Sequence, residues 1–283
     1  MQNKKRTGIR FFVLSFLTTF SLITAAGFLL LMRIIDPAPV QKITENLPKI
    51  EHTFTDSDSI TILTIGYSRK DTQTAFYSLI RLDAPNQRVI VTSIPADTEI
   101  SDKEGQKTLL EIATYGGSPA LVQKLSSALD VTIDRWLRIE ETSFANLVDE
   151  FGAVTYDCPQ KVEYYDQNGF LAYSMSEGKH VLFGEKLCGL IRYSGTNAIE
   201  RANEHSNIIV SLFSQRLKSG RYDDFQTAFE LLMASCETSI NAFDLENRRA
   251  AFEQMTTDKT LNFVSLPFSK DLDEYKNSLS AYR

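Results

Sequence analysis

Residues 60–66 read Ile60-Thr61-Ile62-Leu63-Thr64-Ile65-Gly66. A run of β-branched and apolar residues closed by glycine is a strand signal. Two more such runs follow, Phe76-Tyr77-Ser78-Leu79-Ile80-Arg81-Leu82 and Val89-Ile90-Val91-Thr92-Ser93-Ile94. Ala84-Pro85-Asn86 between them predicts a turn, and so a hairpin. The period then changes. Ser118 suits a helix N-cap and Pro119 the first helical position, and Leu121, Val122, Leu125, Ala128 and Leu129 recur at helical spacing. A short strand is predicted at Trp136–Ile139. A helix marked by Phe144, Leu147, Val148 and Phe151 should stop at Gly152, with a strand at Val154-Thr155-Tyr156. Residues 184–192, 202–217 and 242–254 read as helices, as does the segment holding Phe225, Ala228, Phe229 and Leu232. Leu261-Asn262-Phe263-Val264 reads as a last strand. Strands interleaved with helices predict an α/β fold, a central mixed β-sheet flanked by helices on both faces.

Working outward toward the N-terminus, residues 11–32 contain no Asp, Glu, Lys or Arg. As a helix they would extend about 33 Å, enough for a hydrocarbon core of about 30 Å. Lys4, Lys5, Arg6 and Arg10 precede them, so residues 1–10 are expected in the cytoplasm and everything after Arg33 outside it. The rival is a cleaved signal peptide with small residues at Thr24-Ala25-Ala26-Gly27. Signal apolar regions run only about 7–15 residues, and here Phe28-Leu29-Leu30-Leu31-Met32 continues the run. Pro37, Pro39 and Pro48 among polar residues mark 33–58 as an extracytoplasmic stalk, leaving 59–283 as the folded domain.

Charge is unevenly distributed. Residues 1–33 hold five of the 30 basic residues and no acidic ones, so residues 34–283 carry 25 basic against 36 acidic, a net of −11. That balance opposes nucleic-acid binding and flat association with an anionic membrane. Cys158, Cys188 and Cys236 show no metal-ligand spacing and read as small buried hydrophobes; spacing leaves a Cys158–Cys188 disulfide open. His52, His180 and His205 are scattered.

Several segments, in order, resemble the LytR-CpsA-Psr (LCP) family. Ile62–Gly66 with Ser68-Arg69 resembles its opening strand and Gly-x-Asp-x-Arg turn. Val89–Thr98 resembles the strand ending in Ser-Ile-Pro-Arg-Asp-Thr, and Tyr115-Gly116-Gly117 the Tyr-Gly-Gly before a helix. Ile133–Val154 follows the stretch containing Phe-x-x-Leu-Val-Asp-x-Leu-Gly-Gly-Val. Leu182-Phe183-Gly184-Glu185 and Ile191-Arg192-Tyr193 resemble the Leu-Asn-Gly-Glu helix with its terminal Arg-Tyr-Arg, and Arg201 takes an Arg position in the next helix. The resemblance covers roughly 60–207. It implies membrane-anchored proteins of cell-envelope assembly that move a glycopolymer from polyprenyl diphosphate to peptidoglycan. Such phosphoryl transfer needs cations against the pyrophosphate, in-line geometry and help for the attacking hydroxyl. By resemblance Asp97, Arg192 and Arg201 are the catalytic candidates. Arg69, Lys107, Arg192 and Arg201 are the substrate-binding ones, and Asp97 is the ligand for Mg²⁺.

Departures fall on the charged positions. Ala96 stands where the family has Arg, Gln73 and Ala75 where it has Arg and Asp, and Ser68 where it has Asp. Ser194 replaces the second Arg of Arg-Tyr-Arg, and Glu204-His205 replace a later Arg-Gln. Packing residues and turns are kept, which predicts a retained fold with depleted chemistry and a binding or scaffold role. A working transferase using Asp97, Arg192 and Arg201 is the alternative, and a partner of an LCP paralogue a third. Each retained residue also has a plain reading: Asp97 as a turn cap, Arg192 and Arg201 as surface ion-pair partners, Arg69 as a solvated turn residue. The implied ligands are a polyprenyl (di)phosphate lipid or wall glycan, and no nucleic acid.

Overall fold

Sheet topology follows from the first three predicted strands, here β1 (Ile60–Tyr67), β2 (Phe76–Asp83) and β3 (Arg88–Ile94). They pair antiparallel in sequence, Ile62 opposite Ile80 and Ile80 opposite Val91, so the predicted hairpin forms at residues 84–87. The computed structural model describes residues 51–282 except 70–75, 103–104, 217–221, 259 and 271. The predicted tail, apolar segment and residues 33–50 of the stalk lie outside the described residues, as do Asp71, Gln73 and Ala75. Among the described residues no helix is long and apolar enough to cross a membrane.

A hairpin of β4 (Glu99–Asp102) and β5 (Gly105–Thr108) leads into α1 (Leu109–Leu129). β6 (Arg135–Glu140) and α2 (Glu141–Phe151) follow, then β7 (Val154–Cys158), β8 (Val162–Tyr165), β9 (Leu171–Met175) and β10 (Gly178–Leu182). The rest is α3 (Gly184–Tyr193), α4 (Ala198–Arg216), α5 (Tyr222–Ser235), β11 (Glu237–Thr238), α6 (Ala242–Glu246), α7 (Arg249–Asp258), β12 (Asn262–Ser265) and α8 (Leu272–Ser278). Six strands make the main sheet in the order β11-β6-β1-β2-β3-β12. β6, β1, β3 and β12 run parallel and β2 and β11 oppose them, so four carboxyl ends gather at one end of the sheet.

Period-2 alternation sends alternate residues to opposite faces. Leu63, Ile65, Tyr77, Leu79 and Ile90 meet Leu121 and Leu125 of α1 and Tyr275 of α8 on one face. Leu82, Val89 and Val91 meet Ile209 of α4 and Met255 of α7 on the other. Helices therefore cover both faces of a mixed sheet. The C-terminal residues clamp the first face: Tyr282 Oη donates to the carbonyls of Leu79 and Ile90 at 3.1 and 3.0 Å.

One helix gains a preceding segment and one departs from the sequence expectation. The helix predicted from Ser118 does follow a break, at Gly117, whose φ of 71° and ψ of −176° only glycine tolerates without strain; the sequence does not announce the turns before it, from Leu109, where Thr108 and Glu111 form a reciprocal cap. The helix predicted over 242–254 is two, broken at Asn247-Arg248, where the Arg248 guanidinium turns to the Ser59 carbonyl at 3.0 and 3.2 Å. The three thiols are free, and burial pushes Cys188 up to about 12 and Cys236 up to about 11.

Candidate functional site

The gathered carboxyl ends place the candidate residues. After β1 comes Ser68, buried, then Arg69, exposed. After β3 comes a turn closed by Thr98 N–H donating to the Pro95 carbonyl at 3.1 Å, with Asp97 exposed on it. Asp97 makes no side-chain hydrogen bond or ion pair among the described residues. After β6 comes Glu141, the first residue of α2.

Arg192, in the last turn of α3, reaches back to this end. Its Nη2 donates to Glu141 Oε2 and to Ser68 Oγ at 3.4 Å, and its Nη1 to Tyr193 Oη at 3.4 Å. The two charged side chains are 20% and 28% exposed. Arg192 Nε is buried without a partner. Beside this pair lies a hollow of about 20 Å³ lined by Phe76, Ile139, Phe144 and Ile191, room for about one water molecule. Phe144 packs edge-on to Phe76, and Phe76 edge-on to the His205 ring.

Arg201, in the first turn of α4, donates through Nε to the Ser194 carbonyl at 3.3 Å. Ser206 on the same helix accepts from Ser93 N–H at 2.8 Å, which sets α4 antiparallel along β3 with Arg201 toward the carboxyl end. Gly195 makes this turn possible: its φ is +75°, and a Cβ there would stand 2.5 Å from Arg201 N. His205, one turn on, is buried and donates through Nε2 to the Ile191 carbonyl. Burial lowers its pKa to about 4; the Ile191 bond raises it and the Arg201 charge lowers it further.

A second, larger cleft opens on the far side of Tyr193 in sequence, about 430 Å³ in volume. Ser194, Thr196, Glu200, Asn203 and Glu204 line it from the α3–α4 turn and α4, and Cys158, Pro159, Gln160 and Val162 from the strand side. Tyr164 stacked on Tyr193, centroids 4.0 Å apart, ties β8 to the end of α3. Tyr156 Oη donates to Glu204 Oε1 at 2.5 Å. Burial first, and the Glu204 bond second, push that phenol well above its ordinary range. Ser194 is 2% exposed and its Oγ has no partner.

The structure thus links Arg192 and Arg201 through the short α3–α4 turn and puts Asp97 and Arg69 at the same end of the sheet. Lys107 is exposed on β5 opposite Ile100, in the hairpin that follows the Asp97 turn. Glu141 is the residue that sequence reasoning missed; it lies 51 positions from Arg192, and only the fold pairs them. Among the described residues no three His, Cys, Asp or Glu side chains gather as a metal site. Magnesium is commonly held by one or two carboxylates plus substrate phosphates, and the unengaged Asp97 carboxylate fits the first part of that set.

The model of the LytR_cpsA_psr family matches residues 36–283. TagV of Bacillus subtilis, a polyisoprenyl-teichoic acid–peptidoglycan teichoic acid transferase, is 28% identical over 85 residues, 29% of this chain and 22% of its own. TagU of Bacillus licheniformis, a transferase of the same description, is 20% identical over 205 residues, 70% of this chain and 65% of its own. The chain therefore spans less than two thirds of either relative. The crystal structure of B. subtilis TagV superposes with a TM-score of 0.63 at 17% identity, over 81% of this chain and 98% of that one. A protein from Eubacterium siraeum reaches 0.69 at 15% identity, over 81% and 94%. At such identities the likeness is one of fold.

Proposed function

The chain belongs to the LytR-CpsA-Psr family, and from that premise we propose that it is an extracytoplasmic envelope protein that binds a polyprenyl-diphosphate glycopolymer or wall glycan without efficient transfer. Residues 11–32 anchor it as a single-pass helix, residues 1–10 remain in the cytoplasm and the stalk follows from 33; of the predicted 33–58 stalk, residues 51–58 belong with the LCP-like domain, since His52 N–H donates to Gln254 and Phe54 packs beside Met255. TagV and TagU, by name, transfer teichoic acid from a polyisoprenyl carrier to peptidoglycan; this chain keeps the scaffold of that chemistry with fewer of its cations.

The observation that carries the reading is the state of Arg192. A guanidinium meets two phosphate oxygens with its planar fork, and here the fork is turned to Glu141 inside a hollow of about 20 Å³. A diphosphate must compete with that carboxylate for the fork. Each charged hydrogen bond so diverted is worth about 1.5–3 kcal/mol. Ser194 and Glu204, at positions where the resemblance places arginines, add no cation.

A second reading, transfer by this chain itself, is favoured by Asp97, which has no side-chain partner among the described residues at the carboxyl end of β3. There Arg192 and Arg201 would neutralise the pyrophosphate oxygens, and Asp97 would orient the attacking hydroxyl. Magnesium, held by Asp97 and substrate oxygens, would supply charge neutralisation for the leaving phosphate.

The test is incubation of the full-length chain in detergent with a polyprenyl-diphosphate glycan, magnesium and peptidoglycan acceptor. The binding reading expects saturable lipid binding with release of polyprenyl phosphate no faster than the protein-free control. Turnover that disappears in Asp97→Ala replaces it with the transferase reading.

A further inference from the structure

We propose that the tip of the β8–β9 hairpin is a membrane-contact site, dipping Tyr165, Phe170 and Leu171 into the interfacial layer of the bilayer to which the chain is anchored. It rests on the anchored, lipid-diphosphate-binding role above.

Three of the large apolar side chains that the fold leaves open gather at this tip. Tyr165, Phe170 and Leu171 are 54%, 71% and 52% exposed, and Tyr165 pairs with Leu171 across the two strands. Along β9, alternation puts Leu171 on the side of Tyr173 and Met175; those two are buried and Leu171 is not. The apolar side of the hairpin therefore runs on past the core that covers it.

The turn between the strands holds this shape. Asp166 Oδ1 accepts from Asn168 N–H and Phe170 N–H, each at 2.9 Å. The Phe170 carbonyl accepts from Asp166 N–H at 2.8 Å, and Gly169, at a φ of +81°, donates to the Asp166 carbonyl at 2.9 Å. Side chains presented by an ordered turn pay less ordering entropy on contact. At the base, Tyr164 stacks on Tyr193, and Tyr173 Oη donates to the Lys186 carbonyl at 3.0 Å. These contacts fix the hairpin to α3, beside Arg192.

Position, charge and size select a bilayer as the occupant. A lipid diphosphate keeps its chain in the hydrocarbon and its anionic head at the surface. Arg192 meets that head only where this end of the sheet approaches the surface, and the hairpin comes with it. Residues 33–50 could span at most about 60 Å, and a tether of that reach keeps even a weak contact populated. From Tyr164 to Met175 there is no Lys or Arg, and Asp166 is the one acidic residue, its Oδ1 spent on the turn. Tyrosine and other aromatic rings suit the membrane–water interface. The net charge of −11 over residues 34–283 keeps the rest of the domain off an anionic leaflet and repels a second copy. Three side chains also fall short of the ~800 Å² per partner of a stable protein interface.

The experiment reconstitutes the full-length chain in phosphatidylcholine vesicles whose acyl chains are brominated close to the headgroup, where bromine quenches a nearby indole. Trp136 is the chain's one tryptophan and gives the background. Phe170→Trp is expected to add emission that is lost in brominated relative to unbrominated vesicles. Phe183→Trp, at a comparably exposed position at the other end of α3, about 15 Å along the helix from Tyr193, is expected to escape quenching. Tyr165→Ser and Leu171→Asp, added to Phe170→Trp, are expected to abolish the loss with Tm unchanged. Unquenched Phe170→Trp emission, equal quenching of Phe183→Trp, or indifference to the two polar substitutions overturns the proposal. So does an emission shift that grows with protein density without quenching, which gives the tip to a second copy. Flotation and lipid-diphosphate binding read the underlying role separately. A chain that floats with the vesicles and binds lipid diphosphate but is unquenched loses the hairpin contact alone. A chain quenched at the tip that binds no lipid diphosphate loses the binding role alone, and one that does not float loses the anchor and this contact together.

Discussion

Beside Arg192 the hollow measures about 20 Å³ and is walled by Phe76, Ile139 and Phe144; beside Ser194, two residues on, the cleft measures about 430 Å³ and is lined by hydroxyls, amides and carboxylates. The first keeps its cation and spends it on an internal partner, Glu141. The second has a serine and a glutamate where the family resemblance places arginines, and its Ser194 hydroxyl is left unanswered. The hollow has its cation in an ion pair beside two rings, whereas the cleft has carboxylates in its lining.

His205 stands in the partition between the two, its ring against Phe76 of the hollow and its neighbour Glu204 on the cleft. Arg201 is the charge facing it. With a pKa near 4 folded and about 6.5 unfolded, its contribution to stability is complete above pH 6.5. It drains away as pH falls through that range, because the unfolded chain takes up the proton first. The expected loss between pH 7 and pH 5 is about 2 kcal/mol. His205→Gln, which can keep a donor to the Ile191 carbonyl, should lose correspondingly less. Parallel denaturation curves at the two pH values measure the difference; identical losses would mean the partition is wet.

How far the sequence foretells this comparison depends on how each piece is specified. Ile62, Leu63, Ile80 and Val91 announce the sheet locally, since each strand buries both faces and hence reads as an apolar run. β4 and β5 escape notice because, among the residues of Glu99–Asp102 and Gly105–Thr108 whose burial is described, Ile100 alone is buried. β8 and β9 escape because Tyr165 and Leu171 are more than half exposed and only Val162, Tyr173 and Met175 turn inward, too few to read as strands. At the site, Arg192, Arg201, Ser194 and Glu204 are legible one by one from family resemblance. Their grouping into one closed hollow and one open cleft is tertiary: Glu141 meets Arg192 only once β6 and α3 share an end of the sheet.

Phe144→Ala tests whether the closed state of the first hollow is a matter of packing. The ring is half-buried, so the expected cost is about 2 kcal/mol, below the ~3–5 kcal/mol of a fully buried Phe. Denaturant midpoints give that number. Binding of a short-chain polyprenyl phosphate should strengthen in the variant if ring packing keeps the chain out; unchanged binding would place the obstacle elsewhere.

Glu141→Gln probes the ion pair with a smaller effect on stability. Both side chains are partly solvated, at 20% and 28% exposure, which screens the interaction to about 1 kcal/mol. The informative readout is opposite in sign. Freed from its internal carboxylate, Arg192 should bind pyrophosphate about tenfold more tightly, a gain of about 1.4 kcal/mol. Titration calorimetry at low salt measures this. Unaltered affinity would show that Glu141 does not guard the fork.

The smallest stability effect belongs to Asp97→Ala, and there the smallness is itself informative. An exposed side chain with no partner among the described residues holds nothing together, so the melting free energy should move by less than about 0.5 kcal/mol. A larger loss would make Asp97 a structural cap of the turn after β3 and withdraw it from any catalytic role. With stability unchanged, lipid-diphosphate turnover becomes a clean measure of its chemistry. Background-level release in both proteins leaves the domain a binder, whereas release that vanishes with the carboxylate means the cations at this end of the sheet still suffice for transfer.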